Sequence, residues 1–414
     1  MSDVQVSGAK WYRDITRAQW MALALAGLGW TFESYDSYSL SLTIPFISQH
    51  FTMSKTLVGS LLSLTAAGQM VGGILFGFVA DRIGRVKTAF LCICIYSLFS
   101  GLFACAQSVE QLFILRVCGA FGMGGMWTAG AALVAESWPA HLRGRGGALM
   151  QAGLPTGAIV AIAASAVVGE TIGLADEGWR VPYLIGALPA LILFFVARAT
   201  PESPVWIAQR HRKQIAHDAR QGVGPSILKP ALIAFGLVFC LQYVFWGVTS
   251  WTPTYLVAAR GMNLMSSLSH VLLLQLGALA GFLVFSVFVD RLGRRPMFAA
   301  YLLLGAVAVA TFVFGPDALL PLALFCAGFS VNGIFAGLGP FIAELIATSP
   351  RRGFVMGLIY NGGRLGGVSA PTIIGMLASG KGSLAAGLGS TVVALLLALV
   401  IVAIAPETKG REIK

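Results

Sequence analysis

Phe78-Val-Ala-Asp81-Arg82-Ile-Gly84-Arg85 lies between two long apolar runs, and Phe288-Val-Asp290-Arg291-Leu-Gly293-Arg294-Arg295 lies between two others, with 209 residues from Asp81 to Asp290. Two further landmarks repeat in the same order. Ala135-Glu136, followed by Arg143 and Gly144, returns as Ala343-Glu344, followed by Arg352 and Gly353, at an offset of 208. Pro201-Glu202-Ser203 is matched by Pro406-Glu407-Thr408. Three ordered repeats mark the chain as two copies of one unit. The expected boundaries are a first unit over 1–198, a linker over 199–229 and a second unit over 230–414. Duplicated helical units that rock about a midplane site are the architecture of alternating access.

Outward from these landmarks, apolar runs lie near 20–46, 57–80, 87–106, 111–135, 146–169, 180–198, 230–256, 268–289, 297–315, 318–344, 354–378 and 384–405. Hydrophobic residues make up 57% of the 414 and the mean hydropathy is +0.81, so no soluble domain of any size is accommodated. A spanning helix uses about 20 apolar residues. The expectation is therefore an all-α membrane protein with twelve transmembrane helices in two pseudo-symmetric six-helix bundles. The first run is too long for a signal-peptide core and is expected to be retained as a span.

Of the 28 Lys and Arg residues, four (Lys55, Arg180, Arg260, Lys381) fall on one side of the spans, Arg116 and Arg364 fall within spans, and the other 22 share the opposite side. The positive-inside rule then places both termini in the cytoplasm. The expected location is the bacterial inner (plasma) membrane, as a multi-pass protein and a monomer in the lipid bilayer. The net charge of +11 does not point to nucleic acid, because the basic residues sit between apolar runs instead of on one solvated face. The six cysteines all fall in apolar stretches without ligand spacing and read as packing residues, so no metal is expected.

At these motifs the sequence resembles the major facilitator superfamily. Gly77 to Arg85 carries the family's signature between spans 2 and 3, with Asp81, Arg82, Gly84 and Arg85 in place and Ser286 at the Gly position of the second copy. Arg116 followed by Gly119, Gly122 and Gly124 resembles a family motif of span 4. Pro201-Glu-Ser-Pro204 and Pro406-Glu-Thr-Lys-Gly410 are similar to the sugar-porter and metabolite:proton symporter branch. Trp30-Thr-Phe-Glu33-Ser-Tyr-Asp36 resembles the acidic pair of aromatic-acid, sialate, monocarboxylate and phosphate proton symporters, with Glu33 where an Asp is usual. The resemblance implies a proton as coupling ion, no other cofactor, and Asp36 with Arg116 as the coupling pair. It also implies a latch between the halves, for which the matching residues are Asp81, Arg82, Arg85, Glu136 and Arg143, with Asp290, Arg291, Arg294, Glu344 and Arg352.

A charge at membrane depth costs about 2.5 to 3.5 kcal/mol on insertion scales, so each one is a functional candidate. Glu33 and Asp36 are three apart in span 1, on one expected helix face, and Arg116 begins span 4 on the side where span 1 ends. An Asp that gains and loses an Arg partner can take up and release a proton. A permanent structural ion pair is the alternative. Arg364 in span 11, with Asn361 and Tyr360 beside it, offers a planar fork for a carboxylate. A packing Arg bonded to backbone carbonyls would look the same. Gln242, Tyr243 and Trp246 of span 7, Gln275 of span 8 and Asn332 of span 10 are candidate cavity residues, as are Gln69 and Gln151; packing and interhelical hydrogen bonds are their other reading.

The function expected is proton symport of a small organic anion, with a sugar or other neutral metabolite as the second choice. An enzyme is not expected: H-E-x-x-H and G-x-S-x-G are absent, and Gly375 to Lys381 imitates a phosphate loop but Gly382 replaces its Ser or Thr. No catalytic residue is assigned. A channel would bring filter loops or charged rings, and a transporter-like sensor would show no flux.

Overall fold

The computed structural model describes residues 11–13, 15–139, 143–174, 177–212, 228–346, 352–379 and 383–408. It contains the twelve spans. Span 1 is Arg17–His50, span 2 Lys55–Ile83, span 3 Arg85–Phe103, span 4 Val109–Ser137, span 5 Gly153–Thr171 after a short helix Arg143–Gln151, and span 6 Val181–Gly186 with Pro189–Ala199. Span 7 is Leu228–Ala258, span 8 Leu264–Leu292, span 9 Arg294–Phe314, span 10 Leu320–Gly333 with Phe335–Leu345, span 11 Arg352–Gly363 with Leu365–Leu377, and span 12 Leu384–Ile404. The expected linker begins with a helix, Pro204–Arg212, and its residues 213–227 lie outside the described residues. Span 1 begins and span 12 ends on what is called here the near face; the opposite is the far face.

Local chemistry sets the helix ends. Thr16 and Gln19 form a capping box at the start of span 1, and Ser54, Ser108, Asn263 and Ser383 accept from the backbone N–H three residues on. Spans 2 and 8 end at Gly84 and Gly293, whose φ values of +110° and +101° are strained for any residue with a Cβ. Among the described residues, ten helices are long and apolar enough to cross a membrane. The two that fall short are spans 1 and 11. Span 1 holds Glu33 and Asp36 among serines and tyrosines, and span 11 is interrupted at Arg364. The least apolar helices are those with the buried charges.

Small residues let the helices approach without a hydrophobic driving force between them. A Cβ on Gly72 would collide with the Phe121 carbonyl, and one on Gly124 with the Gln69 carbonyl, so spans 2 and 4 touch backbone to backbone. Gly281 against Phe329 and Gly333 against Gly281 do the same for spans 8 and 10. The halves meet at the far face, where spans 2 and 11 cross. Lys55 Nζ donates to the Ala378 carbonyl at 3.2 Å, Thr56 and Ser379 hydroxyls are 2.9 Å apart, and the N–H and hydroxyl of Thr372 both donate to Ser63 Oγ, at 3.0 and 2.8 Å. A Cβ on Gly59 would strike Pro371.

Candidate functional site

Between the halves lies a cavity of about 100 Å³. Span 1 supplies Trp30, Glu33, Ser34, Ser37, Tyr38 and Ser41; span 2 Ala66 and Gln69; span 4 Trp127; and span 5 with its preceding helix Gln151 and Leu154. The second half supplies Gln242, Phe245, Trp246 and Thr249 from span 7, Phe282, Asn332 and Phe335 from spans 8 and 10, and Tyr360 and Arg364 from span 11. Largely apolar walls with a few polar groups are the ordinary make-up of a small-molecule site.

Arg364 sits at the break of span 11. Its guanidinium carbon is 5.7 Å from the Trp127 ring centre and 5.5 Å from that of Tyr360, while the two rings stack on each other at 5.3 Å and 12°. The stack joins span 4 of the first half to span 11 of the second, and Trp127 Nε1 is held by Gln151 Oε1 at 3.1 Å. Nη1 of Arg364 is buried and has no hydrogen-bond partner, and neither has Glu33 Oε2 on the facing wall. Interaction with ring faces leaves the guanidinium edge free for an anion.

Asp36 faces elsewhere. Residues three apart on a helix differ by about 60° in direction, and here that is enough to separate two acids. Glu33 faces the cavity; Asp36 turns into the first half, fully buried, where Arg116 pairs with one carboxylate oxygen and Ser100 Oγ donates to the other. The single expected face is thus two environments. Gly186 keeps room for this pair, since a Cβ there would crowd Ser100 and sit 3.3 Å from Asp36 Oδ1. Tyr183, bonded to Thr43 at 2.8 Å, and Tyr35, donating to the Pro182 carbonyl at 2.8 Å, complete the surroundings.

Of the other candidates, Gln242, Trp246, Asn332, Tyr360, Gln69 and Gln151 line the cavity; Tyr243, Gln275 and Asn361 do not. Tyr243 is turned 100° or so from Gln242 and bonds to Ser390 of span 12 at 2.8 Å, and Gln275 is buried behind the wall. Trp30 and Trp127 were not singled out in the sequence.

Among the described residues, Asp81, Arg85, Glu136, Arg294 and Glu344 of the near face contact partners inside their own half. Arg85 bonds Glu136 at 3.0 and 3.1 Å and pairs with Asp81 at 2.9 Å; Ser203 donates to Glu136; and Glu202 accepts the Arg85 and Val86 N–H groups at 2.8 and 3.2 Å. In the second half Arg294 bonds Glu344 at 2.9 Å, Thr408 donates to Glu344 at 2.5 Å, and Glu407 accepts the Arg294 and Arg295 N–H groups at 3.0 Å. Glu202 and Glu407, noted in the sequence as repeat markers and as part of the branch motifs, therefore cap spans 3 and 9. The side chains of Arg143, Asp290, Arg291 and Arg352 lie outside the described residues.

A partly polar cavity between two duplicated six-helix halves defines a membrane carrier. The chain belongs to the Major Facilitator Superfamily, whose model matches residues 20–286 and 269–414. It is 30% identical over 411 residues to a probable 4-methylmuconolactone transporter of Cupriavidus pinatubonensis, covering 98% of this chain and 94% of that one. It is 31% identical to the cis,cis-muconate transport protein of Acinetobacter baylyi over 89% of each. The fold is shared with the xylose transporter XylE from E. coli in a partially occluded inward-open conformation, with a TM-score of 0.76, 19% identity, and 96% of this chain and 100% of that one covered. The protein is a multi-pass membrane transporter and not an enzyme.

Proposed function

We propose that this transporter carries a small organic acid, as its anion, together with protons by alternating access, in a bacterial inner membrane with both termini cytoplasmic. The observation that carries the reading is Arg364 Nη1, a buried donor with no partner on a side chain that lines the cavity. An unmet buried donor is costly, and a carboxylate meets it with a charge-assisted bond. The Trp127 and Tyr360 rings beside it suit a flat, apolar body on that carboxylate. Relatives named for muconate and methylmuconolactone transport point the same way. The proton is assigned to an acid of span 1, Glu33 or Asp36. The near-face clusters, including Arg82, act on the opening of the halves and not on cargo.

The Pro201-Glu202-Ser203-Pro204 element that favours a sugar is bound to Arg85 and Glu136 on the near face, away from the cavity, and carries no cargo preference. The test is thermal stability of the purified protein with benzoate, nicotinate, cis,cis-muconate, sialic acid, phosphate and xylose. A ligand at 100 times its Kd stabilises by about 2.7 kcal/mol. At least one carboxylate should raise the melting temperature and show saturable counterflow in proteoliposomes. Stabilisation by xylose alone would reverse the ranking, and binding without flux would indicate a sensor.

A further inference from the structure

Glu33 and Arg364 each leave one buried polar atom unmatched in the same cavity, and no hydrogen bond joins them. Both side chains line the same cavity, Glu33 from span 1 and Arg364 from the break in span 11. The other charged or titratable groups around Glu33 are Asp36 and the cavity-lining Tyr38 on its own helix, Cys92 and Tyr96 of span 3, and Tyr360 of span 11 beside Arg364. Span 4 offers Arg116, already taken by Asp36. Spans 5 and 7 face the cavity with Leu154, Gln242, Phe245, Trp246 and Thr249, none of which titrates. Among the described residues, Glu33 therefore has one free cation before it, and that cation is the one the cargo needs.

A cargo carboxylate arriving at Arg364 while Glu33 is ionised would set two negative charges against one guanidinium. Like charges at such range in a water-poor site cost several kcal/mol, enough to decide occupancy. Asp36 has no such conflict: both its oxygens are bonded, it is fully buried, and neither it nor Arg116 reaches the cavity wall.

We propose that Glu33 is the site of the cargo-linked proton: the anion binds Arg364 only when Glu33 is protonated, and after release the Glu33 carboxylate takes the cargo's place at Arg364. The proton enters with the cargo from one side, rides on a Glu33 carboxyl oxygen, and leaves to the other side once Arg364 is vacant. The Asp36–Arg116 pair is then a fixed brace inside the first half. Position 242, equivalent to 33 by the 209-residue offset, is Gln242, an uncharged group of the same shape lining the same cavity. The duplicated unit holds a side chain of this shape in both halves, but only one copy can carry a proton.

The proposal rests on the organic-acid reading, and calorimetry separates the two. Binding of benzoate, nicotinate or cis,cis-muconate is measured from about pH 5.5 to pH 8, where carboxylic acids of this kind are ionised, in two buffers of different ionisation enthalpy. Wild type should take up about one proton per anion, and its affinity should fall by up to about tenfold per pH unit as pH rises. E33Q should bind with a flat pH profile and no proton uptake, while E33D should keep both. Proton uptake in E33Q equal to wild type would overturn the proposal, as would wild-type binding with no proton uptake. Failure of all three anions to bind wild type would instead remove the organic-acid reading, and this proposal with it.

Discussion

The two halves share a scaffold and differ in what they place on it. Gly68, Gly72 and Gly124 recur 209 residues later as Gly277, Gly281 and Gly333, and each would clash with the facing helix if it carried a Cβ. The near-face clusters also correspond in their described bonds: Arg85 to Glu136 matches Arg294 to Glu344, and Ser203 to Glu136 matches Thr408 to Glu344. The interiors do not. Where the first half has Asp36 and Arg116, the second has Phe245 and Phe325; where the second has Arg364, the first has Pro155; and Trp127 faces Ala336 as its counterpart. Positions that let helices touch are alike in the two copies, because any backbone contact at that distance demands a small residue. Positions facing the interior were free to diverge, and the cavity draws its charges from those.

The largest expected effect comes from breaking the brace that only the first half has. Asp36→Leu leaves Arg116 buried without its counter-charge, and losing one member of a buried pair costs about 3 to 5 kcal/mol. Asp36→Leu with Arg116→Leu makes the first half as apolar here as the second and should recover most of that loss. Thermal melting of the detergent-solubilised variants measures both. A double variant as unstable as the single one would show that the first half needs the charges themselves.

Arg364 has no charged counterpart in the first half, so its replacement tests which half holds the anion. Arg364→Lys keeps the charge but loses the planar fork and its stacking on Trp127 and Tyr360. Affinity for the bound carboxylate should fall about tenfold or more, equivalent to about 1.4 kcal/mol, with melting temperature near wild type. Unchanged affinity would take Arg364 out of the site. Trp127→Ala copies Ala336 into the first half and removes one ring of the stack. An aromatic pair contributes about 0.5 to 1.5 kcal/mol, so affinity should weaken by a few-fold to tenfold, while Trp127→Phe should retain most of it. Equal loss in both variants would mean that the Gln151 bond, and not the ring face, is what matters.

The fold was legible because its signals are long and repeated: twelve apolar runs, a doubled loop motif and a one-sided distribution of Lys and Arg. The charges of the site were legible for the related reason that Glu33 and Arg364 are expensive anywhere in a membrane and stand out against their surroundings. The direction in which side chains point was less so. Span 10 breaks after Gly333 and span 11 at Arg364, so a helical period carried through them misplaces Asn361. Glu33 and Asp36 look like one pair in a string of letters, but the 60° or so between them spans the boundary between cavity and bundle interior. Trp127 was missed because an aromatic residue in a membrane helix has too many ordinary uses to signal a site on its own.

The smallest expected effect belongs to the feature the halves share most closely. Glu202 and Glu407 each place a carboxylate on the first N–H groups of a span, which satisfies orphan donors and opposes the positive end of the helix dipole. The settings differ in exposure: Glu202 is half-buried beneath Gly84, where a Cβ would drive into its carboxylate, while Glu407 is exposed and a Cβ on Gly293 would crowd it less, at 3.0 Å. Water and salt screen the exposed carboxylate more. Glu202→Gln should therefore lower stability by about 1 kcal/mol or less, and its difference from wild type in melting temperature should shrink with added salt less than that of a surface charge. Glu407→Gln should shift it less, and that shift should vanish at high salt. If Glu407→Gln proves the more damaging of the two, the clusters differ in strain or partners despite their matching bonds, and the likeness of the halves at this face is one of geometry without energy.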